Sequence, residues 1–182
     1  MLRPGDAAPD FVLKDAEGRD VRLSTLGGPI VVYFYPKDNT TGCRLEAKGF
    51  RDHFDDIRAR GATVVGVSMD RPEVHRQFRD LHDLPFHLLS DPEGRVIDLY
   101  EAWRTTLLGR RPVAVRRCTF VIDEDGIIRR VHRNVNPMRH AKQILKDLER
   151  LQAQQSWGRG ESIELKPNHR GRRRRKERPP EI

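Results

Sequence analysis

Two stretches of the chain are apolar on both faces, IVVYFY from Ile30 to Tyr35 and ATVVGVSM from Ala62 to Met69, and each is followed by apolar residues at helical spacing. A strand apolar on both faces belongs inside a sheet covered on both sides, and strands alternating with helices imply parallel pairing through crossovers. Behind the first strand, Ala47, Phe50, Phe54 and Ile57 form one helical stripe that Gly61 stops. Behind the second, Asp70, Pro72 and Glu73 are start signals for a helix with Val74, Phe78 and Leu81 on one face.

The rest of the chain fits around this core. FVLKDAEGRDVRLSTL alternates about Glu17-Gly18 as an N-terminal β-hairpin would. FHLLSDPEGRVIDLY reads as a short strand, a turn and a short helix. VAVRRCTFVID and GIIRRVHR read as two strands joined at Asp123-Glu124-Asp125-Gly126. A last helix after Pro137 aligns Ala141, Ile144, Leu145, Leu148 and Leu151. The order predicts an α/β fold, a central mixed β-sheet flanked by helices, and 182 residues suffice for one such domain.

Beyond Leu151 the apolar periodicity stops, which sets a domain at 1–151 and a basic tail at 152–182 whose composition predicts disorder. From Arg159 onward there are nine Lys/Arg against four Asp/Glu, so the tail carries +5 of the chain's +8 and the preceding 158 residues only +3. Arg172 to Arg175 with Lys176 suit a polyanion such as nucleic acid, but a solvated extension without a partner is the plainer reading, since Trp157 is the only aromatic near them.

Several function classes lack their residues. With two cysteines and no CxxC there is neither a disulfide framework nor a zinc knuckle. His75, His82 and His87 are seven and five apart, which is not ligand spacing, so solvated or capping roles and no metal are expected. No GxGxxG, P-loop lysine motif or GxSxG occurs, and no cofactor is expected. MLRPGDAAPDF lacks the pattern of a signal peptide, and no apolar run reaches the roughly 20 residues of a membrane helix. The expectation is a cytoplasmic protein whose thiols stay reduced.

Cys43 stands at the turn between the first strand and its helix. A lone cysteine is most often a packed apolar residue. Its flanks are not those of a core position: Asp38, Asn39, Thr40, Thr41 and Gly42 precede it and Arg44 follows. These residues suit a helix cap whose free N–H groups face an anion, and a helix start with a nearby cation lowers a thiol from its usual pKa of about 8.5.

Pro36, Thr40 and Cys43 match the P-x-x-x-T-x-x-C signature of peroxiredoxins, and Glu46 with FRD (Phe50 to Asp52) resembles the subgroup called bacterioferritin comigratory protein, or PrxQ. GDAAPDFVL, VVGVSMD followed by HRQF, LPFHLLSD, RCTFVID and the helix after NPMRH resemble that subgroup in the same order, from about Leu2 to Leu151. The resemblance implies a thioredoxin-like fold and a thiol peroxidase acting on hydrogen peroxide and small organic hydroperoxides. Cys43 would then be the peroxidatic cysteine, with Thr40 offering its hydroxyl to sulfur and oxygen and Pro36 closing the pocket. Arg117 would serve thiolate and peroxide together, and Glu46 would orient that arginine.

The chain also departs from the subgroup. Lys48 stands where many members carry a resolving cysteine, RPEVHRQFRDLHD has none, and Thr41 replaces a common proline. Cys118 adjoins Arg117 in a predicted strand, so the two should face opposite sides. A one-cysteine mechanism follows, with a thioredoxin-like protein or a low-molecular-weight thiol as reductant. Arg110, Arg111 and Arg116 compete with Arg117 for the active-site assignment. The alternative is a thioredoxin-fold binding module acting through its tail. The chain is expected to act as a monomer or a homodimer.

Overall fold

The computed structural model describes residues 1–105 and 112–158. All five residues of β3 (Ile30–Phe34) are buried, as their uninterrupted apolar character requires of a strand with neighbours on both edges. β4 (Thr63–Ser68) pairs with it in parallel and β8 (Cys118–Ile122) antiparallel. The remaining strands are β1 (Val12–Lys14) and β2 (Asp20–Arg22), which form the hairpin, β5 (His87–Ser90) and β9 (Ile128–Arg133). They complete a seven-stranded mixed sheet in the order β2-β1-β5-β4-β3-β8-β9.

Alternation along β3 divides the core in two. Val31 and Tyr33 face a cluster containing Cys43, Phe50, Phe78 and Ile144; Val32 and Phe34 face one containing Phe11, Tyr100, Cys118 and Phe120. Tyr33 lies stacked between Tyr35 and Phe50, with ring centroids 5.3 and 4.9 Å away. Each such side chain contributes on the order of 2 kcal/mol by leaving water. Gly66 on β4 makes room for this stack: a Cβ there would sit 2.7 Å from the Tyr33 ring, so any side chain would push it out of place.

Helices α1 (Thr41–Asp52), α2 (Phe54–Ala59) and α5 (His140–Gly158) pack together, while α3 (Pro72–His82) packs on β5 and α4 (Arg95–Leu99) follows it. The single helix expected from Ala47 to Ile57 is two, broken at His53 (φ −113°, ψ 13°), whose Nδ1 lies 3.0 Å from the Gly49 carbonyl. Phe50 and Ile57 nevertheless share one core cluster, so the apolar stripe continues across the break. On α3 the expected apolar face is corrected: Leu81 is 69% exposed, and His75 and His82 join Phe78 on the buried side. Those two histidines are therefore not the solvated residues their spacing suggested.

VAVRRCTFVID is not one strand. β7 (Pro112–Val115) leaves to pair with β6 (Trp103–Thr105) in a separate two-stranded sheet, and β8 begins at Cys118. The Arg116 N–H donates to the Ala102 carbonyl at 2.7 Å, which turns the chain between the two sheets. Arg117 thus sits on a corner. α5 runs on past Leu151 to Gly158 through the helix formers Gln152, Ala153 and Gln154. Arg110, Arg111 and the tail from Arg159 lie outside the described residues.

Candidate active site

The turn after β3 is built to start a helix. Asn39 takes a left-handed conformation (φ 62°), Thr40 is the extended N-cap (φ −74°, ψ 150°), and its Oγ1 accepts the Cys43 N–H at 3.4 Å. Cys43 is therefore the third residue of α1 and is held in its first turn, near the positive end of the helix dipole. The thiol is 2% exposed, yet its surroundings are not those of an inert core cysteine, because Arg117 Nη2 donates to Cys43 Sγ at 3.2 Å. A purely apolar burial would offer no such cation.

Two further groups hold the guanidinium there. Arg117 Nη1 forms an ion pair and hydrogen bond with Glu46 Oε2, from the residue one helical turn beyond Cys43. On the other side is Gly42, where an added Cβ would lie 3.1 Å from Arg117 Nη2. Burial pulls the guanidinium's pKa down, but the charge of Glu46 and the hydrogen bonds to Cys43 and Glu46 outweigh it and raise it. Arg117 stays a cation.

Glu46 is itself wholly buried, and that burial, opposed by Arg117, pushes its carboxyl up to about 7. Its second oxygen, Oε1, has no hydrogen-bond partner among the described residues; His140 Nε2 lies 4.0 Å away and bonds instead to Thr119 Oγ1 at 2.8 Å. Burial, with His132 and Arg117 nearby, lowers His140 to about 3, so it is neutral and brings no second cation to Glu46.

Pro36 is exposed, and it borders a cavity of about 300 Å³ with Arg104, Val115, Arg116, Arg117, Asn134 and Val135. This cavity leads to the guanidinium. The Thr40 hydroxyl is exposed too and donates to the Lys37 carbonyl at 3.3 Å, so its proton is not directed at sulfur in this arrangement. Lys48, at the position of the missing resolver, is exposed on α1. Cys118 faces the opposite core cluster, with its thiol pushed up to about 12 by burial.

The structure therefore brings Cys43, Arg117 and Glu46 into direct contact, with Thr40 and Pro36 at the rim. Gly42 and the Thr119–His140 pair carried no sequence signal, because their role is a close approach between segments far apart in the chain. Among the described residues no group of three or more His, Cys, Asp or Glu is placed to hold a metal ion, and no helix is long and apolar enough to cross a membrane.

A buried sulfur with a guanidinium donor beside it can attack an O–O bond, because the same cation serves the attacking sulfur and the oxygen that leaves with the electron pair. Comparison with known proteins points to the same chemistry. The AhpC/TSA family model matches residues 4–131. The peroxiredoxin Bcp of Bacillus subtilis is 40% identical over 149 residues, covering 79% of this chain and 95% of its own. The crystal structure of peroxidoxin BcpB from Mycobacterium tuberculosis superposes with a TM-score of 0.76 at 35% identity, covering 83% of this chain and 99% of that one. A bacterioferritin comigratory protein of Xanthomonas campestris, described for its alkyl peroxide reduction activity, gives a TM-score of 0.74 at 26% identity over 80% of this chain and 99% of its own. With its thioredoxin-like sheet, its P-x-x-x-T-x-x-C turn and these relatives, the chain belongs to the AhpC/TSA family as a thiol-dependent peroxidase of the Bcp/peroxiredoxin Q type.

Proposed function

We propose that Cys43 is the peroxidatic residue of a one-cysteine cycle acting on hydrogen peroxide and small organic hydroperoxides. The 3.2 Å contact between Arg117 Nη2 and Cys43 Sγ carries this reading. The sulfur attacks the terminal peroxide oxygen, the O–O bond breaks, and hydroxide or alkoxide leaves and takes up a proton; Cys43 becomes a sulfenic acid. Arg117 steadies the departing oxygen and Glu46 positions Arg117. Thr40 caps the helix and borders the incoming oxygen, and Pro36 limits water at the mouth.

An external thiol then reduces the sulfenic acid, since Lys48 replaces the resolver and Cys118 lies across the sheet. Both described cysteines are free, which suits a reducing cytoplasm. We assign catalysis to the body, residues 1–151, and no step to the basic tail.

The test is mass spectrometry after one equivalent of hydrogen peroxide with dimedone present. One adduct on Cys43, absent from Cys43→Ser, together with turnover that persists in Cys118→Ser, is expected. An intramolecular Cys43–Cys118 bridge, or loss of turnover in Cys118→Ser, would refute the one-cysteine cycle.

A further inference from the structure

The cavity beside the active site is more cationic than the peroxide chemistry requires. It is bordered by Arg104 from β6 and by Arg116 and Arg117 from the corner before β8, and among the described residues no acidic side chain lines it. Arg117 is already engaged by Glu46. Arg104 is exposed and Arg116 half-buried, and among the described residues neither forms an ion pair. The other walls are Pro36, Val115, Val135 and Asn134, whose left-handed φ of 58° turns the chain at the end of β9.

Two guanidiniums without an ion pair among the described residues, in a concave site of about 300 Å³, suit a small carboxylate, which arginine grips through two N–H donors. Hydrogen peroxide has no such group to offer. The second reactant must also come from outside, because the chain supplies no thiol that reaches Cys43. We propose that Arg104 and Arg116 bind the carboxylate of an anionic low-molecular-weight thiol, making such a thiol the preferred reductant of oxidised Cys43.

This rests on the one-cysteine reading. The thiolate attacks the sulfur of the Cys43 sulfenic acid, an S–S bond forms, the S–O bond breaks, and hydroxide leaves to become water. A second thiolate attacks the reductant's sulfur in that mixed disulfide and releases Cys43 as thiolate with a disulfide of the small thiol. Two thiols are oxidised by two electrons for each sulfenic acid reduced. The rim holds the thiol's carboxylate during the first attack and leaves its sulfur free to reach inward.

The experiment uses the full chain, oxidised with one equivalent of hydrogen peroxide, and follows loss of the sulfenic acid with thioglycolate, 2-mercaptoethanol or cysteamine, each rate expressed per thiolate. In the wild type thioglycolate should outrun 2-mercaptoethanol by about three- to tenfold, and cysteamine should be slowest. In Arg104→Ala/Arg116→Ala the thioglycolate advantage should fall below about twofold, and Arg104→Glu/Arg116→Glu should reverse the order. Lys142→Ala/Lys146→Ala removes the same charge from exposed positions on α5 and should keep the wild-type ratio, separating the rim from net charge. Neither rim side chain holds an ion pair among the described residues, so their loss removes no such contact. A sulfenic acid that forms but is reduced without regard to thiol charge overturns the rim alone. Failure to form the sulfenic acid overturns the reading beneath it as well.

Discussion

Replacing Gly42 by alanine separates helix stability from active-site electrostatics, because the two effects have opposite signs at that position. Gly42 lies in the first turn of α1 and is not among the positive-φ glycines, so alanine should favour the helix by up to about 1 kcal/mol. The new Cβ, however, would sit 3.1 Å from Arg117 Nη2 and 3.7 Å from Pro137 Cγ. The guanidinium is tied on its other side to Glu46, so it yields by moving off the sulfur, from which it is now 3.2 Å away. A hydrogen bond to a charged group contributes about 1.5–3 kcal/mol, and losing half of one slows sulfur oxidation by roughly three- to tenfold. Gly49→Ala is the matched control: it lies in the same helix, and its Cβ would meet Ala141 Cβ at an ordinary 3.7 Å. The assay is stopped-flow oxidation of Cys43 by hydrogen peroxide, paired with urea unfolding. Both variants should be as stable as the parent or slightly more so, and only Gly42→Ala should be slow. Equal oxidation rates in the two variants would refute the claim that Arg117 must approach this closely.

Other perturbations follow from the same geometry. Glu46 has a folded pKa of about 7 against an ordinary 4.5, so the folded chain holds a proton that the unfolded chain has released across that interval, and stability falls as pH rises through it. The loss is about 3 kcal/mol, complete above about pH 7. Glu46→Gln should remove this component, so urea midpoints from pH 4.5 to 8 should be flatter than in the parent; parallel profiles would contradict it. His140 works in the opposite direction, losing stability as pH falls towards about 3, but it is present in both chains and cancels in the comparison. Asp38 and His75 are both fully buried, with His75 Nδ1 2.7 Å from Asp38 Oδ2 and the Tyr35 hydroxyl donating to Asp38 Oδ1 at 2.7 Å. His75→Ala leaves that carboxylate short of a partner and should cost about 3–5 kcal/mol in urea unfolding; a loss under about 1 kcal/mol would show that the pair does not hold the loop before α1.

What the sequence made legible were periodicities and local caps. Ile30 to Tyr35 reads as a covered strand, and Thr40, Thr41 and Gly42 suit a helix cap ahead of Cys43, a place that Thr40 takes, because each follows from residues adjacent in the chain. Glu46 and Arg117, expected from the family resemblance, do meet. The corner at Arg116-Arg117 was hidden because a run of Val, Ala and Arg reads as strand whether or not it changes sheets, and only the bond to Ala102 decides. The burial of His75 and His82 has no signature in their spacing, because a buried carboxylate or ring edge can hold a histidine inside. The clearance over Gly42 was invisible for a different reason: it is a distance between residues 75 positions apart.

By this geometry the Arg117 guanidinium makes Cys43 a peroxide-reactive sulfur. The most direct measurement of this is the second-order rate constant for Cys43 oxidation by hydrogen peroxide in Arg117→Ala against the parent, at one pH and with folding checked by circular dichroism. A fall of at least about a hundredfold is expected, from the loss of a charged donor to both sulfur and leaving oxygen. A folded Arg117→Ala protein oxidised within about twofold of the parent rate would contradict it.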